Sequence, residues 1–246
     1  MTELADKTAL VTGGSRGIGA AIVAALAAAG ADIAFTYTAS ADKAAAIVRQ
    51  IEAQGRRALA IKADSADPGD IAKAVRTAAD ALGRIDILVN NAGIAFGGAP
   101  ESHSLEEVDR MLAVNTRAPF LAVQAVLPHM PDGGRIITIG SCLGEVVRFP
   151  GLTLYAMSKA ALTGMTRGLA RDLGPRRITV NVVQPGPVDT DMNPADSERA
   201  KGQQALTAIG RYGKPDEIAA MVRLLAGPGG TYVTGAQIAV DGGTNA

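Results

Sequence analysis

Thr8-Ala9-Leu10-Val11-Thr12-Gly13-Gly14-Ser15-Arg16-Gly17-Ile18-Gly19 is the stretch whose reading decides the fold. A short apolar run ends in glycines, and the apolar residues that follow, such as Ile18, Ile22, Val23 and Leu26, fall at helical spacing. Strand, glycine turn and helix together give the Gly-x-x-x-Gly-x-Gly spacing its meaning. Gly13, Gly17 and Gly19 serve a tight turn, close backbone approach to a pyrophosphate, and close helix–strand packing. The helix start beyond them offers free N–H groups and the positive end of its dipole to phosphate. The turn therefore reads as a dinucleotide site, with Ser15, Arg16 and Ile18 in its contact set.

Outward from this turn the pattern repeats. Strand candidates are Thr8–Thr12, Asp32–Thr36, Ala58–Ile61, Ile85–Val89, Arg135–Ile139, Ile178–Val183 and Gln237–Val240, most of them near-continuous apolar runs. Such runs suit parallel strands covered on both faces. Alanine-rich helical stretches lie between them, and Ser104-Leu105-Glu106-Glu107 reads as a capping box opening a helix toward Asn115. The alternation predicts right-handed βαβ units in an α/β, doubly wound parallel sheet of about seven strands, one domain over residues 1–246. The rhythm breaks once, between about Pro185 and Tyr212, where prolines, glycines and polar residues gather. Ligands of open α/β sheets sit outside the carboxyl ends of the strands. Residues 186–212 leave such an end and read as a substrate lid, with an ordinary surface excursion as the alternative.

The end of the second strand separates NAD from NADP. An acidic residue there hydrogen-bonds the ribose hydroxyls and repels a 2′-phosphate. The sequence at this place is Phe35-Thr36-Tyr37-Thr38-Ala39-Ser40, with hydroxyls and no carboxylate. Asp32 lies at the strand's start, about 10 to 13 Å away if the strand is extended. Arg16 can supply positive charge from the glycine turn. NADP(H) is expected in preference to NAD(H).

Composition excludes several classes. Lys plus Arg and Asp plus Glu are 24 each, which gives no electrostatic footprint for nucleic acid or a membrane surface. No run approaches the roughly 20 apolar residues of a membrane span. Met1–Lys7 lacks the charged-then-apolar order of a leader, so the cytoplasm is the expected compartment. One cysteine, Cys142, and two histidines, His103 and His129, do not make a zinc site, and no metal is expected.

Among the tyrosines only Tyr155 has a lysine, Lys159, four residues on. On a helix the two stack on one face, and a nearby ammonium favours a phenolate. Ser141 ends the fifth strand and Asn90-Asn91-Ala92-Gly93 the fourth, both at the edge that carries the glycine turn. Asn115 sits in the helix that follows. Cys142 reads as a packing residue, with a redox-sensitive thiol as the alternative.

With these motifs in order over essentially the whole length, the chain resembles the short-chain dehydrogenase/reductases. The resemblance rests on Thr12-Gly13-x-x-x-Gly17-x-Gly19, Asn90-Asn91-Ala92-Gly93, Asn115, Ser141, Tyr155-x-x-x-Lys159 and Pro185-Gly186. It implies a Rossmann fold, a small carbonyl or alcohol substrate, and a homotetramer with the Tyr155 and Asn115 helices at a subunit interface. Tyr155 is then the general acid and base, and Lys159 binds the nicotinamide ribose and depresses the tyrosine pKa. Ser141 orients the substrate oxygen, and Asn115 holds a relay water. Asp64 and Ser65 edge the adenine, Asn91, Ala92 and Gly93 the adenosine ribose region, and Thr38 the end of the second strand. Pro185, Gly186, Val188 and Thr190 approach the nicotinamide, Thr190 at its carboxamide. Small residues at Ala156, Ala160, Gly164 and Gly168 fit either a subunit contact or packing on the chain's own sheet. The leading reading resembles 3-oxoacyl-carrier-protein reductases, with Met192, Asn193 and Leu206 on the substrate side. Arg148, Arg176 and Arg177 are too scattered to dock an acidic carrier. Two rivals remain: a nucleotide-binding regulator with little turnover, and a lyase or epimerase that recycles its cofactor.

Overall fold

The structure, a computed structural model, describes residues 2–246. Seven strands form one parallel sheet in the order β3-β2-β1-β4-β5-β6-β7. They are β1 (Thr8–Val11), β2 (Asp32–Tyr37), β3 (Ala58–Lys62), β4 (Ile87–Asn90), β5 (Arg135–Ile139), β6 (Thr179–Pro185) and β7 (Gln237–Val240). The helices are α1 (Gly17–Ala28), α2 (Ala41–Glu52), α3 (Pro68–Leu82), α4 (Leu105–Leu112), α5 (Ala118–Val126), α6 (Thr153–Leu173), α7 (Ala200–Ala205) and α8 (Pro215–Ala226).

Strand periodicity splits the core in two. Ala9, Val11, Ile33, Phe35, Ile87, Val89, Ile137 and Ile139 point toward α1, α2 and α8. Leu10, Ala34, Leu88, Ile136 and Val180 point toward α3, α5 and α6. Because consecutive residues face opposite ways, a strand covered on both faces must be apolar throughout. Fully burying one such side chain contributes about 1.5–3 kcal/mol. The strand order reverses direction between β1 and β4, and the crevice at that switch point opens at the carboxyl edge. The loops after β1, β4, β5 and β6 all leave from this edge.

Beyond one-residue shifts at the ends of β1, β2 and β3, three features differ from the sequence reading. Ile85 and Asp86 precede β4 and bond instead to the His129 and Thr8 carbonyls. The Asp86 carboxylate takes Lys7, Arg84 and the Thr8 amide, which anchors the sheet's amino edge. β6 runs on through Pro185, which is in register with Val240 but lies past the end of the β5 pairing at Val183, so its missing N–H costs no ladder bond. The segment 186–212 contains a helix, α7, that periodicity did not reveal because it is only six residues long. Among the described residues no helix is long and apolar enough to cross a membrane, and no cluster of His, Cys, Asp and Glu suits a metal ion.

Candidate functional site

The glycine turn is held by side chains from two other strands. Thr36 of β2 accepts the Gly13 amide at 2.9 Å. Asn91, just past β4, donates its side-chain amide to the Thr12 and Gly13 carbonyls, both at 3.0 Å. Thr12 Oγ1 in turn accepts the backbone N–H groups of Asn91 at 3.0 Å and Ala92 at 3.1 Å. Gly13 and Gly17 have φ of 67° and 52°, the left-handed region that favours glycine. Arg16 is the N-cap of α1 with no side-chain cap bond, and the first turn of α1 carries no acid. By contrast, Asp67 caps α3 and the Ser104–Glu107 capping box closes α4 as the sequence predicts. The start of α1, like those of α2, α5, α6 and α7, has no side-chain cap, and here the free N–H groups stand beside an exposed arginine and over a floor that only glycine fits. A dinucleotide pyrophosphate matches that donor set.

The other cofactor candidates lie around this turn. Thr38 is exposed after β2, and its hydroxyl reaches the Ala63 carbonyl at 3.4 Å. Asp32 is tied at the opposite edge to the Arg57 side chain at 2.7 Å and is removed from the site. Asp64 spends one carboxylate oxygen on the Ala66 amide at 2.9 Å and the other on Arg110 at 3.3 Å. Ser65 is half-buried beside it. The methyl of Thr190 is 3.3 Å from where a Cβ on Gly17 would stand, so the start of the 186–212 segment touches the glycine turn. Pro185 and Val188 are buried, and Gly186 donates to the Val240 carbonyl at 3.2 Å.

The second half of the site is set by α6. Tyr155 and Lys159 share its face, with the ammonium 5.8 Å from the phenol ring centroid. Lys159 is buried and donates to the Ile139 carbonyl at 3.0 Å. Gly93 sits opposite: a Cβ there would stand 3.4 Å from Lys159 Nζ and 3.5 Å from Asn115 Oδ1. Ser141, buried at the end of β5, accepts the Leu143 amide at 3.2 Å. Glycine at 144 lets the following turn press on the α6 backbone near Lys159.

Asn115 lies in a π-helical turn, Ala113–Arg117, between α4 and α5. Its Oδ1 accepts the Ile94 amide, and its Nδ2 donates to the Ile94 carbonyl, each at 2.9 Å. The same Nδ2 lies 3.0 Å from Ser158 Oγ, which donates to the Tyr155 carbonyl at 2.7 Å. Helix, loop and α6 are thereby tied together. The sequence reading expected a regular helix through Asn115. Pro119 was the available signal: in an α-helix its missing N–H is the one that bonds the Asn115 carbonyl. π-Turns of this kind are frequent at functional sites. Ser158 is missed by the sequence reading and Thr12 is quoted there only as part of the glycine motif, since isolated hydroxyls carry no periodic signal of a bonding role.

Electrostatics depart from expectation at the tyrosine. Burial pushes the Tyr155 phenol up to about 12, and the Ser141 hydroxyl beside it only partly offsets this. In the chain alone the phenol is therefore a held proton, where the sequence reading expected the lysine to favour phenolate. Burial likewise pushes Lys159 down to about 8. Cys142 is pushed up to about 11 by burial and by Asp241, which leaves a protonated thiol and fits the packing reading.

The Lys159 shift has a measurable consequence. The folded chain disfavours the ammonium, so its penalty is full below about pH 8 and fades as pH rises toward the ordinary value of 10.5. Lys159→Met is expected to stabilise the cofactor-free protein at pH 7 by about 1–2 kcal/mol after loss of one hydrogen bond. For a chain of this size that is a rise of roughly 2–8 °C in melting temperature. The gain should shrink between pH 8 and 10.5, and thermal melts across that window check it. A gain that is flat with pH would point to packing rather than charge.

The small-residue face of α6 is open beyond Ala156. Gly164 and Gly168 are exposed, with nothing within 4 Å of a Cβ at either, so they do not pack on the chain's own sheet.

A family model described as enoyl-(acyl carrier protein) reductase matches residues 13–245. A blue fluorescent protein from a metagenomic library, solved in complex with NADPH, superposes with a TM-score of 0.98 at 59% identity, covering 99% of this chain and 100% of that one. A short-chain dehydrogenase from Burkholderia cenocepacia J2315, solved with NADP, gives a TM-score of 0.98 at 55% identity over 99% of this chain and 100% of that one. The cyclic-di-GMP-binding biofilm dispersal mediator protein of Escherichia coli K12 is 46% identical over 98% of both chains.

Proposed function

The chain belongs to the short-chain dehydrogenase/reductase family of oxidoreductases, and from that premise we propose that it interconverts a ketone and a secondary alcohol with NADP(H), using Tyr155 as general acid and base. The observation that carries this reading is the meeting of Tyr155, Ser141, Lys159 and Asn115 at the sheet edge that also bears the uncapped glycine turn. The bound dinucleotide supplies or accepts the hydride. Gly13, Ser15, Gly17, Ile18 and Gly19 offer the backbone donors and the close approach for its pyrophosphate, and Arg16 and Thr38 receive the 2′-phosphate. Asp64 and Ser65 border the adenine, Asn91, Ala92 and Gly93 the ribose region, and Pro185, Gly186, Val188 and Thr190 the nicotinamide. The preference for NADP(H) rests on the exposed Arg16, on the sequestered Asp32, and on the NADP and NADPH held by the two structural relatives.

In reduction Tyr155 gives its proton to the substrate oxygen, which Ser141 holds beside it. The raised phenol pKa keeps that proton available at neutral pH. Lys159 would hydrogen-bond the nicotinamide ribose and hold its charge beside Tyr155, and a water held at the Asn115 turn would connect the site to bulk solvent, from which the phenol regains its proton. The segments leaving the edge carry exposed Val146, Val147, Phe149, Met192 and Ile209, which favours an apolar, uncharged ketone. An acyl-carrier substrate is less favoured, because Arg176 and Arg177 stand before β6 at the far edge and Arg176 is paired with Asp132. Residues 1–246 act as one domain, in which 186–212 serves as the lid. The open face of α6, with half-exposed Phe120 on α5, suits a homotetramer.

The test is NADPH and NADH consumption, followed by absorbance, against a panel of ketones, diketones and acyl thioesters. Turnover with NADPH and weaker turnover with NADH is the expected result. Tight NADPH binding without consumption of either cofactor would move the protein to the second reading, a nucleotide-binding regulator. That reading is favoured by one observation, the 46% identity to a relative named for cyclic-di-GMP binding.

A further inference from the structure

We propose that Asn245 is a positioning residue for Ser141, acting through the peptide unit that joins Cys142 to Leu143; the inference rests on the ketone-reductase reading of the site. Asn245 Nδ2 donates to the Cys142 carbonyl at 2.7 Å. The N–H of the same planar unit, that of Leu143, donates to Ser141 Oγ at 3.2 Å. A peptide unit is rigid, so whatever fixes its C=O fixes its N–H. The Cys142 carbonyl also accepts the Glu145 and Val146 amides at 3.1 and 3.2 Å. Asn245, the shortest of the three donors and the only one from outside that turn, completes the set that fixes the direction from which Ser141 receives a hydrogen bond. Because that bond occupies a lone pair of the hydroxyl, it steers the Ser141 proton away from Leu143 and toward the phenol and substrate side. A carbonyl that accepts a bond also polarises its unit and makes the N–H a better donor.

The segment after β7 is built to hold Asn245 there. Asp241 accepts the Gly243 amide at 2.9 Å and the Asn245 amide at 3.0 Å on its two carboxylate oxygens, and its carbonyl takes the Thr244 hydroxyl at 2.6 Å. Gly242 and Gly243, at φ of 64° and 75°, make the bend. The bend rests on two other parts of the site. A Cβ on Gly186 would stand 2.6 Å from the Asp241 carbonyl oxygen, so the turn after β6 lies directly against it. Ile209, on the returning limb of the 186–212 segment, donates to the Gly242 carbonyl at 3.1 Å. The Asn245 side-chain oxygen is buried without a partner among the described residues. The one hydrogen bond of its side chain is that from Nδ2 to the Cys142 carbonyl.

Steady-state reduction of the best ketone should be compared in wild type, Asn245→Ala, Asn245→Asp, Ser141→Ala and the double variant Ser141→Ala/Asn245→Ala. Asn245→Ala is expected to lower kcat about tenfold with NADPH affinity held within about twofold. Asn245→Asp keeps the shape but replaces the donor with a charge facing a carbonyl, and should fall at least as far. In the Ser141→Ala background the second substitution should change the rate by no more than about twofold, since its route of action is gone. An equal loss in that background, or no loss in wild type, overturns the proposal. Hydrogen exchange in the cofactor-free protein tests it without activity. The Leu143 amide should exchange at least about tenfold faster in Asn245→Ala while the β5 amides are unchanged. A wild type that reduces no ketone sinks the reading of the site alone, and the Leu143 amide then still decides: unchanged exchange overturns the positioning claim.

Discussion

Replacing Tyr155 with phenylalanine is expected to lower ketone reduction at pH 7 by about three to four orders of magnitude while NADPH affinity stays within about threefold. The substitution removes one oxygen atom from a half-buried side chain on the α6 face shared with Lys159. The backbone around it is held by Ser158 and by the π-turn, neither of which uses the phenol. The ring therefore keeps its place, and the loss falls on proton transfer. A phenol pushed up to about 12 gives its proton to water rarely, but gives it readily to an oxygen that becomes an alkoxide as the hydride arrives. Without it the developing charge must be stabilised by the Ser141 hydroxyl alone. Stopped-flow consumption of NADPH and a fluorescence titration of the same samples separate rate from binding. If turnover persists within about tenfold, Tyr155 is not the proton donor. The same variant also divides the two functional readings, because a regulator that only senses a nucleotide should keep its biological effect in Tyr155→Phe.

The parts of this protein that were legible in the sequence are those where one physical requirement dominates. Strands buried on both faces must be apolar, and β1, β2, β4 and β5 stand out as runs such as Ile136-Ile137-Thr138-Ile139, whereas β3 and β7, at the edges of the sheet, are only partly buried. Gly13 and Gly17 stood out because a left-handed φ next to a crowded floor leaves no other residue. The illegible parts involve competing terms or long-range partners. The direction of the Tyr155 shift needed the balance of burial against neighbouring charge, and spacing along a helix reports only the charge. Asn91 also anchors the glycine turn, its side-chain amide bonding the Thr12 and Gly13 carbonyls 3.0 Å away, a contact across the chain that position in the sequence does not report. Asn245 left no signal, since it meets Cys142 across 103 residues of chain.

Gly19→Ala is expected to weaken NADPH binding by about two orders of magnitude and to lower stability by about 1–2 kcal/mol, with the sheet intact. Gly19 is an ordinary helical residue of α1 by its backbone, and in isolation alanine there favours the helix by about 0.8–1.0 kcal/mol. Crowding reverses the sign. A Cβ would overlap the Gly13 carbonyl oxygen and stand 2.5 Å from Asn91 Nδ2, the two atoms that already bond each other across the turn. Neither can retreat cheaply, because Gly13 is also held by Thr36 and Asn91 by Thr12. The remaining relief is to push α1 away from the turn, which swings the uncapped first-turn N–H groups off the pyrophosphate and opens the packing at Val23 and Phe35. Binding is thus predicted to suffer more than folding, since a small displacement misaligns several donors at once. Gly202→Ala makes the same chemical change inside α7 with nothing within 4 Å, and should leave affinity nearly unchanged and stability unchanged or slightly raised. Isothermal titration with NADPH and thermal melts of the two variants decide it. Equal affinities for Gly19→Ala and wild type would mean that the turn does not position the phosphates, and the cofactor assignment of Gly13, Gly17 and Gly19 would fall with it.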